Sequence, residues 1–383
     1  MTHELRGKSA IAGLGHAGFG EAHGQTAYEI MAEASLTALA DAGLGLGDVD
    51  GLFCTMMEDS MPVLMAAEYL GIQPGVMEGT MFGGSSFVDY LGKATMALNA
   101  GLCDVALICY GSNQRTAAGR LVTASRVPPY EGLYQPRYPV SAYAMAAARH
   151  MYEYGTTREQ LADVAVAARA WARHNPEAFE RGELTREDVL NARMISDPLG
   201  VRDCCLVTDG GGALVLVRGE RAGDFPNAPV HVLGVGAGST HRQISQMPDF
   251  TTTGARESGK RAFEMAGVGP GDIDVVELYD AFTINTILFL EDLGFCAKGD
   301  GGAFVADGRI APGGALPVNT NGGGLSCVHP GMYGIFTIIE AARQIRGDAP
   351  GMQLDGVELA LAHGNGGVLS SQVTAILGAA STV

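Results

Sequence analysis

Two stretches of this chain, 224 residues apart, carry the same turn. Residues 42–54 read AGLGLGDVDGLFC and residues 266–278 read AGVGPGDIDVVEL, with six of 13 positions identical. The matched residues are Ala42, Gly43, Gly45, Gly47, Asp48 and Asp50 against Ala266, Gly267, Gly269, Gly271, Asp272 and Asp274. Each copy follows a helical pattern, 26–42 and 256–266, and a glycine ends it before an apolar strand begins. Upstream of each helix lies a strand rich in glycine, SAIAGLGHAG at 9–18 and VHVLGVGAG at 230–238. The echo continues downstream. GGSSFVDYLGKATMAL at 83–98 leads into CDVALICYGSN, and GGGLSCVHPGMYG with IFTIIEAARQIR leads into LDGVELALAHGNGG at 354–367. Apolar strands alternating with helices predict an α/β chain with buried, mostly parallel sheets. Four matched elements in one order predict internal duplication.

The expected halves are 1–222 and 223–383, with a less regular insertion at about 115–202. That insertion holds PPYEGLYQPRYP and the helical stretches SAYAMAAARHMYEYG and TREQLADVAVAARAWARHN. It is read as a cap over one face of the duplicated core. The strand GGGALVLVRG at 210–219 then closes the first half.

Composition narrows the class. The chain is 47% apolar and 17% charged, which suits a large buried core with a surface partly covered by another subunit, or else a large monomer with a thick core. A net charge of −17 excludes a nucleic-acid partner, which would require a positive face. An anionic ligand would need a local basic patch. The best candidate holds Arg115, Arg120, Arg126 and Arg137, with a solvated loop as the equal alternative. No apolar run reaches 18 residues, so no membrane span is expected. The start, MTHELRGKSA, has no apolar signal segment. Seven cysteines, odd in number and without a C-x-x-C pair, point to a reducing cytoplasm and no metal site.

Taken together, the duplicated halves, the Gly-Ser helix start, the loop insertion, HPGMYG and the final HGNGG resemble the thiolase superfamily over nearly the whole chain. The likeness is nearest to sterol-carrier-type thiolases and lipid-transfer-protein-like chains, and within them to aldolases that cleave CoA-activated steroid side chains. It implies a five-layer α-β-α-β-α fold, a homodimer, an acyl-CoA substrate and a separate zinc-ribbon and OB-fold partner protein. Coenzyme A then enters as part of the substrate, with no further cofactor. Three positions depart from the thiolase pattern. The family's acyl-accepting cysteine corresponds to 83–86, where none is present; Tyr279 of YDAF stands where histidine is usual; and His363 stands where many thiolases carry a cysteine.

The expected catalytic residues are Tyr279, His329 and His363. Tyr279 ends an apolar strand and is read as the group that moves a hydroxyl proton, with a core tyrosine as the alternative. His329, in a glycine-rich loop, can donate to a thioester oxygen as enolate charge develops. His363 is read as a proton relay or as a brace for its loop. Gly83, Gly84, Ser85, Gly323, Gly324 and Gly364 are the expected substrate-binding positions, where backbone approaches a ligand closely; the amides of 83–86 could hold an oxyanion at a helix start. The expected reaction is retro-aldol cleavage of a β-hydroxyacyl-CoA. The alternatives are an acyltransferase with an atypical nucleophile and a non-catalytic lipid-transfer or scaffold subunit.

Overall fold

The computed structural model describes residues 3–57, 60–118, 127 and 129–383. Its strands are β1 (Ser9–Gly20), β2 (Gly51–Cys54), β3 (Val76–Glu78), β4 (Val105–Ser112), β5 (Met194–Ser196), β6 (Leu199–Gly200), β7 (Asp209–Arg218), β8 (Val230–Ser239), β9 (Val275–Leu278), β10 (Leu359–Gly366) and β11 (Ser371–Gly378). Nine of them follow the order β3-β2-β4-β7-β1-β8-β11-β10-β9, and β5 pairs with β6 alone. The order β2-β4-β7-β1 is matched by β9-β10-β11-β8, with the first pair parallel and the next two antiparallel in both sets. Even β3 has a remnant. It runs parallel to β2 through Leu52 and Met77, and Val276 makes a parallel bridge to Val318 at the equivalent place. Among the described residues the strands of the two sets pair only where Ala10 and Ile11 of β1 face His231 and Val230 of β8.

The repeated residues do the same work twice. The Asp50 carboxylate accepts from the backbone N–H of Asp104 and Val105 at 2.8–3.0 Å, tying the turn to the start of β4. The Asp274 carboxylate accepts from the N–H of Glu358 and Leu359, both at 2.9 Å, at the start of β10. Asp48 and Asp272 each close their turn on the N–H of Gly45 and Gly269 at 2.8 Å.

Helix packing is duplicated as well. The helix Ala27–Asp41 starts at a capping box between Thr26 and Glu29 and lies on β1. A Cβ at Gly13 or Gly15 would stand 2.1 or 2.2 Å from the Ala38 or Ala34 carbonyl oxygen. On β8 a Cβ at Gly234 or Gly236 would meet the Ala262 or Ser258 oxygen of helix Ala255–Ala266 at 2.1 or 2.2 Å. Between the two sets of strands lie the helices Ser86–Asn99 and Gly334–Arg346, buried on nearly every side. The layer order is therefore helix, sheet, central helices, sheet, helix, the five layers expected. Among the described residues no helix is long and apolar enough to cross a membrane.

Asp50→Ala and Asp274→Ala should each lower the unfolding free energy by about 1–2 kcal/mol, the scale of lost charge-assisted backbone hydrogen bonds. They share no partner, so the double variant should show the sum. Urea titration checks this. A loss confined to one half would break the equivalence of the two turns.

Candidate active site

Tyr279 follows the last residue of β9, and His329 stands between the short helix Gly323–Ser326 and the long helix Gly334–Arg346. Their rings meet edge to face at 5.5 Å. Both line a cavity of about 440 Å³, together with Gly83 and Gly84 of the first-half helix start. Apolar side chains make up much of the wall, among them Met57, Phe82, Tyr138, Phe282, Met332 and Val368.

Bare backbone brings the parts together. A Cβ on Gly84 would stand 2.0 Å from Tyr279 Cε2, and one on Gly366 would stand 1.8 Å from the Phe82 oxygen. The His329 loop is held by the first half. His329 N–H donates to Thr208 Oγ1 at 2.9 Å, the Gln114 amide donates to the His329 carbonyl at 2.8 Å, and the Tyr110 hydroxyl donates to the Pro330 carbonyl.

The electrostatics differ from group to group. His329 is buried, yet neither ring nitrogen has a hydrogen-bond partner among the described residues. Burial lowers its pKa to about 4, so the ring is neutral at physiological pH, with one nitrogen to donate and one to accept. Burial pushes the Tyr279 phenol well above its ordinary value. Its hydroxyl makes one long bond, 3.3 Å to the Gly331 carbonyl. A phenol that keeps its proton is a donor, not a base.

The other expected residues separate into two groups. Gly83 and Gly84 line the cavity; Ser85, Gly323, Gly324, Gly364 and His363 do not. The Ser85 hydroxyl bonds to Ser371 Oγ at 3.1 Å. Gly323 and Gly324 make room for the Asp280 carboxylate, since a Cβ at 323 would stand 2.0 Å from its Oδ2. Their N–H groups donate to Asn321 Oδ1 and Asp280 Oδ1, not to a ligand. Gly364 is where β10 receives the helix start, and a Cβ there would stand 2.9 Å from Ser85 Cα. His363 is fully buried behind the cavity, with Nδ1 2.9 Å from Thr374 Oγ1 and Nε2 3.0 Å from Gln372 Oε1. Burial lowers its pKa to about 3, and with both nitrogens engaged it cannot itself reach a ligand.

The basic patch changes too. Arg115 donates to Glu21 at 2.7 Å and to the Val207 carbonyl at 3.0 Å, and lies over Phe179. Arg137 is exposed one residue before Tyr138, while Arg120 and Arg126 lie outside the described residues. Sequence reasoning missed Tyr143, Cys205, Arg242 and Asn365, which all line the cavity. Asn365 lies inside the HGNGG motif, whose position offered a signal; the other three had none.

Residues 236–379 match the family described as thiolase C-terminal domain-like. The chain is 36% identical over 380 residues to the steroid side-chain-cleaving aldolase of Thermomonospora curvata, covering 94% of this chain and 96% of the relative. It is 35% identical over 370 residues to an acetyl-CoA acetyltransferase of Methanothermobacter thermautotrophicus, again covering 94% and 96%. The solved Ltp2-ChsH2(DUF35) aldolase superposes with a TM-score of 0.88 at 34% identity, covering 98% of each chain. With its duplicated sheets, its central helices and this full-length likeness, the chain belongs to the thiolase superfamily.

Proposed function

We propose that the chain is an acyl-CoA aldolase that cleaves a β-hydroxyacyl-CoA into a ketone or aldehyde and a shorter acyl-CoA. The observation that carries this is His329, buried beside Tyr279 with both ring nitrogens unpaired. A buried polar atom without a partner costs roughly 1–3 kcal/mol, so it calls for a polar ligand in the cavity. The roles read from sequence exchange. The acceptor nitrogen of His329 takes the β-hydroxyl proton. The Cα–Cβ bond breaks, the hydroxyl carbon becomes a carbonyl, and the electron pair enters the thioester enolate. The Tyr279 hydroxyl donates to the thioester oxygen, where the charge gathers. A cavity of about 440 Å³ with aromatic walls suits a bulky acyl chain, of which a steroid side chain is one, as in the aldolase relative. Arg137 and Arg242, both exposed near its rim, supply cations for the coenzyme A phosphates.

The acyltransferase reading has one observation in its favour: Cys205 lines the cavity. Burial pushes its thiol well above the ordinary range, and a thiol that stays protonated is a poor nucleophile. Panels of β-hydroxyacyl-CoA and 3-ketoacyl-CoA should separate the readings. Ketone or aldehyde release from the first, with no acyl adduct by intact-protein mass spectrometry, is expected. Thiolysis of the second with an adduct on Cys205 would overturn the aldolase.

The pH dependence follows from His329. Its proton-accepting form is present above about 4, so kcat/KM should stay level from pH 8 down to about 5.5 and fall only below that. A fall centred near pH 6.5 would mean an ordinary histidine and remove the assignment.

On the same reading the chain divides into halves 1–222 and 223–383, with the insertion at about 115–202; the repeated strand order supports this. It works as a homodimer. Strand β3 is a free sheet edge, and Met61, Leu64, Met65, Tyr69 and Met77 are exposed beside it, a liability in a monomer. A zinc-ribbon and OB-fold protein is its second partner, consistent with the two-component aldolase it superposes on. Tyr130, Leu133 and Tyr134, 81–86% exposed, offer it a surface. Light scattering of the purified chain should give twice the 39.8 kDa monomer mass. A monomer removes the dimer, and full activity of the chain alone removes the second partner.

A further inference from the structure

Tyr143 belongs to helix Val140–Tyr154, outside both copies of the repeat. Its ring is 2% exposed, stacks on Phe282 at 4.3 Å and lines the cavity. Behind it runs a chain of hydrogen bonds that begins deep in the sheet. Thr374 Oγ1 lies 2.9 Å from His363 Nδ1, and His363 Nε2 lies 3.0 Å from Gln372 Oε1. The Gln372 amide donates to Asn365 Oδ1 at 2.7 Å, and the Asn365 amide donates to the Tyr143 hydroxyl oxygen at 2.9 Å.

The chain has a direction. Gln372 presents its oxygen to His363, so His363 carries its proton on Nε2 and accepts from Thr374 on Nδ1. Every link then donates toward the cavity, and the last donor fills a lone pair of the Tyr143 oxygen. The Tyr143 proton cannot point back along the chain. Its one acceptor among the described residues is the Gly367 carbonyl at 3.4 Å, beyond the roughly 2.5–3.0 Å of a good O–H···O bond. That leaves the proton available to a ligand in the cavity.

The phenolate left behind would have donors to hold it. Burial pushes the phenol to about 12, against which Asn365, the Leu369 backbone and Asn285 pull it down. Tyr279 lacks that support from side-chain amides. Of Tyr143 and Tyr279, Tyr143 is the one whose phenolate has side-chain amides to hold it.

We propose that Tyr143 is a further catalytic residue of this site, delivering the proton that quenches the thioester enolate at Cα. The proposal rests on the retro-aldol reading above. When the Cα–Cβ bond breaks, its electron pair resides in the enolate. The Tyr143 O–H gives its proton to Cα, forming the new C–H bond and leaving a phenolate held by the Asn365 N–H. The proton that His329 took from the β-hydroxyl then returns through solvent to the phenolate, and both groups end as they began. Thr374, His363, Gln372 and Asn365 are positioning residues. His363 thus acts through others, setting the direction of the chain without touching substrate.

The test uses wild type, Tyr143→Phe, Asn365→Asp and the double variant. Tyr143→Phe keeps the ring on Phe282 and removes only the hydroxyl. Asn365→Asp keeps the shape but turns the donor facing Tyr143 into an acceptor, which draws the Tyr143 proton away from the cavity. Two rates are read: cleavage of a β-hydroxyacyl-CoA that the wild type accepts, and exchange of the Cα protons of propionyl-CoA in D2O, followed by mass spectrometry. The second isolates proton transfer at Cα from bond cleavage. Each single variant should slow exchange by about 10²–10⁴-fold, the usual worth of a positioned proton donor, with KM nearly unchanged. The double variant should be no slower than Tyr143→Phe alone, because the two act as one unit. Exchange within about fivefold of wild type in folded Tyr143→Phe would overturn the proposal. So would an Asn365→Asp variant with undiminished exchange, which decides the matter if Tyr143→Phe does not fold. A wild type that exchanges Cα protons yet cleaves no β-hydroxyacyl-CoA would instead overturn the aldolase reading.

Discussion

The Tyr279 ring lies against the bare backbone of Gly84, and the site is organised around that contact. A side chain at 84 would begin 2.0 Å from the phenol edge, so ring and side chain cannot both be present. The Gly-Ser helix start where the superfamily carries its acyl-accepting cysteine and the tyrosine of YDAF are thus linked by packing. Filling the space with a phenol removes room for a nucleophile at 84 and puts a proton donor beside His329. The same closeness runs through the neighbourhood, since a Cβ at Gly366 or Gly334 would strike the Phe82 or Gly84 oxygen at 1.8 or 2.0 Å. Interiors this dense transmit small changes, so a methyl group at any of these glycines would reshape the cavity.

Burial then sets the chemistry. On a buried side chain a charge is expensive, so His329 stays neutral and Tyr279 keeps its proton. Neutral groups facing a neutral thioester become useful when charge appears on the substrate during reaction. Asp280 shows the other side of this rule. Burial raises its pKa to about 7, and the N–H groups of Gly324 and Leu325 pull against that rise. Its work is structural: it pins the turn from which the His329 loop departs.

Much of the fold was legible because the repeat is a hydrogen-bonding device as well as a pattern. Asp50 and Asp274 are matched in sequence because each must reach two amides of the next strand, which fixes their spacing from the glycine turn. Strand-end reasoning pointed to Tyr279 and glycine-loop reasoning to His329, and both side chains line the cavity. For His363, read as a relay or a brace, a strand end says nothing of which way a side chain points, and the ring lies behind the cavity. Glycine-loop reasoning read Gly323 and Gly324 as ligand-facing when the Asp280 carboxylate occupies that space. Tyr143 and Cys205 were out of reach. They approach the cavity from segments outside the repeat, and no periodicity of their own ties them to β9 or β10.

Least legible of all is Glu277 in the apolar run DVVEL, fully buried two residues before Tyr279 and so on the same face of the strand. Its Oε1 lies 2.8 Å from Thr320 Oγ1, and Glu340 Oε1 lies 2.6 Å from the same hydroxyl. Thr320 has one proton to donate, so it can satisfy only one of the two carboxylates. The other must carry a proton of its own and donate it to Thr320. Burial, and then the neighbouring Glu340, push Glu277 well above the carboxylate range, which makes Glu277 the protonated member. Burial raises Glu340 as well, but it accepts from Thr320 and from the Gln344 amide at 3.0 Å, and those bonds hold its charge. An ionised Glu277 would raise the Tyr333 phenol beside Tyr279 still further and would oppose enolate charge in the cavity. A neutral acid on this face leaves the charge of the pair on Glu340, the member that sits on the central helix and not on the strand leading to Tyr279.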